Sequence, residues 1–347
     1  MFHEFIPKSY LYLRAGYKLS TFKKDLIAGI TVGIIALPLA MAFAIASGVG
    51  PERGLFTAII AGFLISALGG SRIQIGGPTG AFVVIVYDII QRTGYEGLAI
   101  STLIAAVFLV LLGVFRLGSW IKYVPHPLIT GFTTGIAVII FSSQIKDFFG
   151  LQMGAPPADF SAKWIAYFHA FPSFDLATLS LSAGTLGVIL LVRRFIPVIP
   201  WGIAAIVLAT LCSYFFDLPV ETIQSKFGGI PNKLPFPSLP SFSIPDGKLA
   251  EILMDAAAIA FLGAIESLLS AVIGDGMIGG RHKSNCELVG QGIANFASVL
   301  FGGIPATGAI ARTAANVKTG AQTPLSGMIH AAVLFAIILF LAPIVSQ

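Results

Sequence analysis

Two helix-breaking clusters interrupt the apolar stretches of this chain, one at 76–80 (GGPTG) and one at 303–308 (GIPATG). Each is followed by an apolar run of helical length. At membrane depth, backbone that leaves the helix is tolerated only where it is buried in protein or lines a cavity. A helix that starts there points unpaired N–H groups and the positive end of its dipole into that cavity. The two clusters therefore predict the anion site of a transporter.

The composition predicts an all-α polytopic membrane protein. The chain has 347 residues, of which 56% are hydrophobic and 11% charged, whereas soluble domains carry about 25% charged residues. The net charge of +5 comes from basic residues scattered between apolar runs, so we expect no nucleic-acid partner. His, Cys, Asp and Glu show no metal-ligand spacing, and there is neither a P-loop nor a Ser-His-Asp arrangement. We therefore expect no metal, no cofactor and no enzymatic activity.

Apolar runs near the ~20-residue spanning length recur along the chain and predict its membrane spans. They fall at 25–49, 54–70, 73–90, 97–118, 127–148, 175–193, 199–216, 252–277, 287–301, 305–318 and 324–344. This pattern predicts four regions: an N-terminal cytoplasmic segment at 1–24, a first repeat at 25–216, an extracytoplasmic connection at 217–251 and a partial second repeat at 252–347.

The loop charges favour a cytoplasmic N-terminus. In that orientation 13 Lys and Arg residues lie on the inner side and 7 on the outer side, with Arg312 left in the membrane region. This asymmetry is the one expected of a protein in a bacterial inner membrane. Seven spans precede the long connection, so the two broken starts run in opposite directions, as in an inverted repeat.

The second part ends after four spans, against seven in the first part. We therefore expect the sequence to be incomplete and to lack the counterparts of spans five to seven. A complete four-span second half is the alternative.

Glu266 lies near the middle of the eighth predicted span, among apolar residues. A carboxylate at that depth is costly and marks function. It could take up a proton and couple charge movement to transport, and Ser270 shares its helix face one turn later. The alternative is a structural role, in which Glu266 caps a broken helix or bonds to a neighbour.

Arg312 follows the second broken start by about one helical turn. A guanidinium beside two helix N-termini strengthens the attraction for an oxyanion. A permanent salt bridge, for example to Glu266, is the alternative. Thr79 offers a hydroxyl to the ligand, and Phe43 could wall the cavity.

Small residues predict close helix packing at two further places. Glycines spaced four residues apart occur at 29–33 and at 131–135. Such spacing lets two membrane helices approach each other closely.

Several stretches resemble the SulP-type anion transporters. The segments 51–58 (PERGLFTA) and 69–72 (GGSR) are similar to the signature of that family, with Arg53 and Phe56 where tyrosines are usual. Further similar stretches are 25–29 (DLIAG), 124–127 (VPHP), 131–135 (GFTTG) and 287–292 (ELVGQG). The resemblance runs in order over essentially the whole chain.

This resemblance implies a seven-plus-seven inverted-repeat domain, usually dimeric. A core of spans one to four and eight to eleven moves against a gate of spans five to seven and twelve to fourteen, and a cytoplasmic STAS domain normally follows. Compared with that pattern, this sequence lacks spans twelve to fourteen and the STAS domain, so we expect the core to be whole and half of the gate to be absent. The resemblance also places an anion between the N-termini of spans three and ten, which here match Thr79, Gly80, Gly308, Ala309, Ile310, Ala311 and Arg312.

The resemblance also bears on the coupling ion. Sodium-coupled bicarbonate members carry an aspartate and a threonine in span eight and a threonine in span ten, at the positions of Glu266, Ser270 and Ile310. Because Ile310 has no hydroxyl and a glutamate can take up a proton, we expect proton coupling. The stretch 263–269 (GAIESLL) is most similar to bacterial members that carry C4-dicarboxylates.

The leading hypothesis is proton-coupled uptake of C4-dicarboxylates such as succinate or fumarate, or of sulfate, by alternating access. We expect a homodimer surrounded by membrane lipid. Sodium-coupled bicarbonate transport is the first alternative, and a nucleobase permease shares the architecture. A non-transporting membrane scaffold or sensor, or an inactive truncation, is the alternative of another class.

Overall fold

The structure, a computed structural model, describes residues 2–119, 126–154, 156–157, 159–196, 201–241 and 247–345. Two residues of the 124–127 motif, at 124 and 125, lie outside these ranges. The helices are α1 Lys8–Arg14, α2 Leu19–Ala46, α3 Pro51–Leu68, α4 Gly80–Val114, α5 His126–Phe149, α6 Phe160–Ala170, α7 Leu176–Phe195, α8 Trp201–Phe215, α9 Ile223–Phe227, α10 Leu249–Ile278, α11 Ser284–Leu300, α12 Ile310–Lys318 and α13 Leu325–Val345. The strands are β1 Gly76–Gly77 and β2 Thr307–Gly308, and 3-10 turns lie at Phe2–Phe5 and Phe171–Ser173.

A helix lies at the position of each predicted span, but two helices start five or more residues later than predicted. The third span begins at Gly80 rather than at 73, and the tenth begins at Ile310 rather than at 305. Both predicted starts include a proline, Pro78 or Pro305. Proline lacks an N–H group and biases the preceding residue toward extended backbone, so helix formation is delayed until after it.

Between the third and fourth predicted spans, which the structure describes in full, there is no loop, because one long helix with a kink runs through both of them. The helical run α4 continues from Gly80 to Val114 and departs from helical geometry at Gly94, which has a φ of 68°. Glycine occupies this conformation without the steric cost that other residues would carry.

Three helices were missing from the sequence prediction. α1 lies in the N-terminal segment, α6 in the connection between the fifth and sixth spans, and α9 in the long connection at 217–251. All are short, and an apolar pattern over so few residues does not stand out from loop sequence. The first span also starts earlier, at Leu19 rather than at 25.

Within the described residues, six helices are long and apolar enough to cross a membrane. They are α2, α3, α4, α7, α10 and α13, the last counted over Leu325–Ala342. This confirms the all-α polytopic class that the composition predicts.

The chain divides into two units. The first consists of Met1–Thr133 and Pro231–Leu341, and the second of Thr134–Ile230 and Ala342–Gln347. The spans that the resemblance assigns to a core lie in the first unit, apart from the last residues of the eleventh span. The second unit contains most of the fifth span and the whole of the sixth and seventh, which the resemblance assigns to a gate. Within the first unit α4 packs on α10 and α11, α11 packs on α3, and α3 packs on α2. Within the second, α7 packs on α8.

The two glycine pairs behave differently. A Cβ atom on Gly29 would lie 2.6 Å from the carbonyl oxygen of Ser326, and one on Gly33 would lie 3.0 Å from the side chain of Val333. Gly29 and Gly33 therefore let α2 approach α13 closely, as predicted. Among the described residues, a Cβ on Gly131 or Gly135 meets no heavy atom within 4 Å.

Asp25 ties the start of α2 to the turn before α13. Its carboxylate accepts hydrogen bonds from Gln322 N (2.6 Å), Thr323 N (3.0 Å), Thr323 Oγ1 (2.5 Å) and Tyr17 Oη (2.6 Å). Burial and the hydrogen bond to Asp25 raise the pKa of Tyr17. Four donors satisfy a carboxylate that is fully buried, so it needs no cation.

The contact of α2 with α13 makes a direct prediction. Gly29→Ala should lower the free energy of unfolding by roughly 1 to 3 kcal/mol, because its methyl group would overlap the backbone of Ser326. Gly135→Ala is the matched control and should change the unfolding temperature little. Thermal unfolding in detergent measures both, and equal effects of the two variants would contradict the assigned packing.

Candidate functional site

The two helix breaks meet in an antiparallel pair of strands. Gly76 lies opposite Gly308, and Gly77 lies opposite Thr307. Ala309 N also donates to Ile75 O at 2.8 Å. Because the strands are antiparallel, α4 and α12 leave the pair in opposite directions. The pair thus brings two helix N-termini together within the first unit.

Neither helix start is capped by its own side chain. Thr79 and Ala309 occupy the N-cap positions, and neither side chain bonds to the helix behind it. Gly80 and Ile310 are half-buried and Ala311 is exposed, whereas Gly308 and Ala309 are buried. The first N–H groups of both helices are therefore available to a ligand, and both dipoles favour negative charge there.

Arg312 reaches across from α12 to the other break. It is 3% exposed, and its Nη2 donates to the carbonyl of Pro78. A Cβ on Gly77, whose φ is 144°, would lie 2.7 Å from Arg312 Nη1, so only glycine leaves room for the guanidinium. Among the described residues, Nη1 has no hydrogen-bond partner. A buried guanidinium with a free N–H group is suited to bind an oxyanion.

Glu266 contacts the first break rather than Arg312. Its Oε2 accepts a hydrogen bond from Thr79 Oγ1 at 2.9 Å, and both side chains are buried. The suggested salt bridge between Glu266 and Arg312 is not formed in the part of the chain that the structure describes. The two side chains instead bind adjacent residues, since Arg312 donates to the carbonyl of Pro78 and Glu266 accepts from the hydroxyl of Thr79.

Ser270, one turn after Glu266 in α10, forms a hydrogen bond with Thr313 of α12. Their oxygens lie 3.0 Å apart, and Thr313 Oγ1 also accepts the N–H of Ile75 at 3.1 Å. Thr307 donates to the carbonyl of Gly263 at 2.9 Å. Thr307 and Thr313 therefore hold the backbone of the breaks. Phe43 is half-buried in α2, and its role as a cavity wall stays a prediction.

Polar side chains from α10 and α11 satisfy the backbone before the first break. Glu287, fully buried, accepts from Gly70 N at 2.8 Å, Ser71 N at 3.0 Å and Ser267 Oγ at 3.2 Å. Gln74 Nε2 donates to Ser267 Oγ at 3.0 Å. These bonds hold the extended segment that leads into β1.

The second break is held in the same way by α3 and α11. Asn295 accepts from Ala306 N and donates to Ala306 O, both at 2.8 Å. Thr57 Oγ1 accepts from Ile304 N at 2.7 Å, and Ser298 Oγ donates to Ile304 O at 2.9 Å. The N–H and C=O groups of Ile304 and Ala306 thus all have protein partners, as a membrane interior requires.

These supporting residues were missed as site residues. The available signal was the spacing in α11, where Glu287, Gln291 and Asn295 recur every four residues along one face of an apolar helix. A polar stripe of this kind predicts a buried hydrogen-bonding partner. No group of three or more His, Cys, Asp or Glu residues near enough to hold a metal ion occurs within the described ranges.

Two helix starts that meet at a shared backbone pair, in a bundle of membrane spans, define the inverted-repeat class of transporter fold. The model of the sulfate permease family matches residues 22–347. The chain belongs to that family.

Relatives of known name support this assignment. YvdB of Bacillus subtilis, whose name gives sulfate as a proposed substrate, is 47% identical over 96% of this chain. The bicarbonate transporter BicA of Picosynechococcus is 34% identical over 91% of it. The chain spans 62% of YvdB and 57% of BicA, so it corresponds to somewhat more than half of each protein.

Solved structures share the fold. The transmembrane domain of a cyanobacterial bicarbonate transporter BicA matches with a TM-score of 0.83 and 32% identity, covering 95% of this chain and 85% of that one. The murine anion transporter Slc26a9 in its inward-facing state matches with a TM-score of 0.85, covering 97% of this chain and 60% of that one. At 19% identity the second match bears on the fold alone.

Because Thr79 donates a hydrogen bond to Glu266, replacing this threonine with valine should destabilise the protein more than the same substitution at Thr102. Thr79→Val should cost roughly 1 kcal/mol of stability, because it leaves a buried carboxylate oxygen without its donor. Thr102→Val is the control, since within the described ranges the Thr102 hydroxyl bonds only to Leu98 O of its own helix. Chemical unfolding in detergent measures both, and a smaller effect at Thr79 than at Thr102 would contradict the assignment.

Proposed function

We propose that this chain forms the membrane part of a secondary active transporter that binds a small anion between the N-termini of α4 and α12. The observation that carries the proposal is the pairing of two uncapped helix starts beside the buried guanidinium of Arg312. Membership of the sulfate permease family supports it. The named relatives support a small oxyanion as the substrate.

The binding energy would come from three sources that converge on one place. Each helix start contributes the equivalent of about half a positive charge through its unpaired N–H groups. Arg312 adds a full positive charge and the free N–H of Nη1. Because Pro78 O accepts from Nη2, the guanidinium is held in place before the anion arrives, which lowers the cost of ordering it on binding.

Glu266 would couple a proton to the anion through Thr79. While Glu266 is ionised, the Thr79 hydroxyl donates to it and is not available to a ligand. Once Glu266 takes up a proton, its own O–H can donate to Thr79, and the Thr79 hydroxyl can turn toward the anion. Protonation also removes a negative charge close to the site. Both changes would favour binding, so proton and anion would travel together.

The substrate is the less constrained part of the proposal. The names of the relatives make sulfate the first substrate to test, with C4-dicarboxylates such as succinate next. Backbone N–H groups and one guanidinium select for an oxyanion and discriminate weakly among oxyanions of similar size. Alternating exposure of the site, by movement of the core against the gate in a homodimer, is part of the same proposal.

Sodium-linked bicarbonate transport is the second candidate. The identity with BicA favours it, and the Ser270–Thr313 pair places two hydroxyl oxygens 3.0 Å apart one turn from Glu266. Ile310 offers no hydroxyl as a further sodium ligand. Sodium dependence of uptake separates this candidate from proton coupling. Failure to transport any of these anions would favour a scaffold, sensor or inactive fragment.

Glu266→Gln should abolish uptake driven by a proton gradient, because the amide side chain neither gains nor loses a proton at the pH values on either side of the membrane. The measurement is uptake of labelled sulfate, succinate and bicarbonate into proteoliposomes holding the protein expressed from its whole coding sequence. Glu251→Gln, on the same helix beside Arg92, is the control and should transport normally. Gradient-driven uptake that persists in Glu266→Gln would refute the coupling role.

Arg312→Gln should weaken anion binding by roughly 10- to 100-fold, the loss expected when a buried charge-assisted hydrogen bond is removed. Arg194→Gln, at the exposed end of α7, is the matched control and should leave the affinity unchanged. The KM for uptake and the affinity in detergent report the effect. A normal affinity in Arg312→Gln would remove the guanidinium from the site.

A further inference from the structure

α6 and the turn that follows it present an unusual surface. Large apolar side chains are exposed on one face of this helix, namely Phe160, Trp164, Ile165 and Phe168, the last 81% exposed. The exposed row continues through Phe171 and Phe174 into the start of α7. The opposite face, with Lys163 and Tyr167, is buried. No Asp, Glu, Lys or Arg lies on the exposed face of the helix.

The neighbouring helices fix the level of this surface relative to a membrane. Asp175 N donates to Phe149 O at 3.0 Å, so the end of α5 and the start of α7 lie at the same height. α7 is long and apolar enough to cross a membrane. That height therefore corresponds to one surface of the bilayer.

The packing of α6 on α5 gives its depth. Trp164 Nε1 donates to Ser142 Oγ at 3.2 Å, and Ser142 lies seven residues before Phe149, the last residue of α5. At 1.5 Å per residue, Trp164 reaches about 10 Å inward from the end of that helix. This is the depth to which interfacial amphipathic helices bury their apolar face, about 5 to 10 Å.

The length of α6 excludes a spanning role. With 11 residues it extends about 16 Å, half of the ~30 Å of a hydrocarbon core. Its N-terminus is closed by Asp159, whose side chain accepts from Ala162 N at 2.8 Å. Trp and Phe are among the residues that interfacial helices carry on the apolar face that they bury at the boundary between headgroups and acyl chains.

We infer that α6 is an interfacial anchor, which lies in the plane of the bilayer surface with Phe160, Trp164, Ile165 and Phe168 inserted among phospholipid headgroups and upper acyl chains. The ligand is the lipid interface itself. The anchor ties the unit formed by residues 134–230 to one surface of the membrane. This inference does not depend on what the protein transports.

The test is a fluorescent probe on two adjacent positions of α6. An environment-sensitive label is attached after Phe168→Cys or, as the matched control, after His169→Cys, in a protein whose Cys212 and Cys286 are replaced by serine. Position 169 is also exposed but lies about 100° further around the helix, at the edge of the apolar face. The protein is reconstituted in phosphatidylcholine vesicles.

The probe at 168 should be quenched several-fold more strongly by lipids carrying a spin label near the headgroup than by aqueous iodide. The probe at 169 should show the reverse preference. Quenching at 168 mainly by iodide would overturn the inference, because the surface would then face water. Protection from both quenchers would also overturn it, because protein would then cover the helix.

Native Trp164 provides a second measurement that leaves the apolar face intact. With Trp120→Phe and Trp201→Phe, the remaining indole emission should be quenched by phospholipids brominated near the top of the acyl chain. Emission unaffected by brominated lipid would overturn the inference even if the labelled variants fail to fold.

Discussion

The structure of the first unit depends on satisfying backbone hydrogen bonds where two helices break inside a membrane. Water is not available there, and each unpaired N–H or C=O group costs several kcal/mol. The pair Gly76–Gly77 with Thr307–Gly308 removes part of that cost by letting each break complete the other. A single break could not do this. The two halves of the chain must therefore pack together at this strand pair.

Side chains of the surrounding spans satisfy what the strand pair leaves open. Asn295 serves both backbone groups of Ala306, and Glu287 accepts from two consecutive N–H groups before β1. Asp25 plays the same part for the turn before α13. Asp25 binds backbone of the second repeat, and Glu287 binds backbone of the first. These two buried carboxylates thus join the repeats through neutral backbone donors, and neither forms a salt bridge with any residue that the structure describes.

In the part of the chain that the structure describes, neither helix start has a side-chain cap, and both starts lie beside Arg312. The anion site proposed for this unit needs this combination, because a rigid surrounding can keep donors ready for an anion without collapsing onto them. Glu266 and Thr79 lie at the first of these helix starts, and in the proposed mechanism protonation of Glu266 changes the charge there. The anchor proposed for α6 concerns the other unit and would hold it at the bilayer surface.

The sequence alone determined the class of protein, the approximate spans, the two breaks and the buried charges Glu266 and Arg312, because these follow from apolar content, Gly/Pro clusters and charges at membrane depth. The salt bridge between Glu266 and Arg312, considered as an alternative, is absent from the described structure. Only tertiary packing decided that Arg312 binds Pro78 O while Glu266 binds Thr79, since both partners lie more than 180 residues away along the chain. Tertiary packing likewise decided that Glu287 and Asn295 support the breaks, and that α6 exposes its aromatic face. The local sequence pattern identifies the polar and charged residues whose burial in a membrane is unfavourable. The tertiary structure decides which hydrogen-bond partner compensates for the burial of each one.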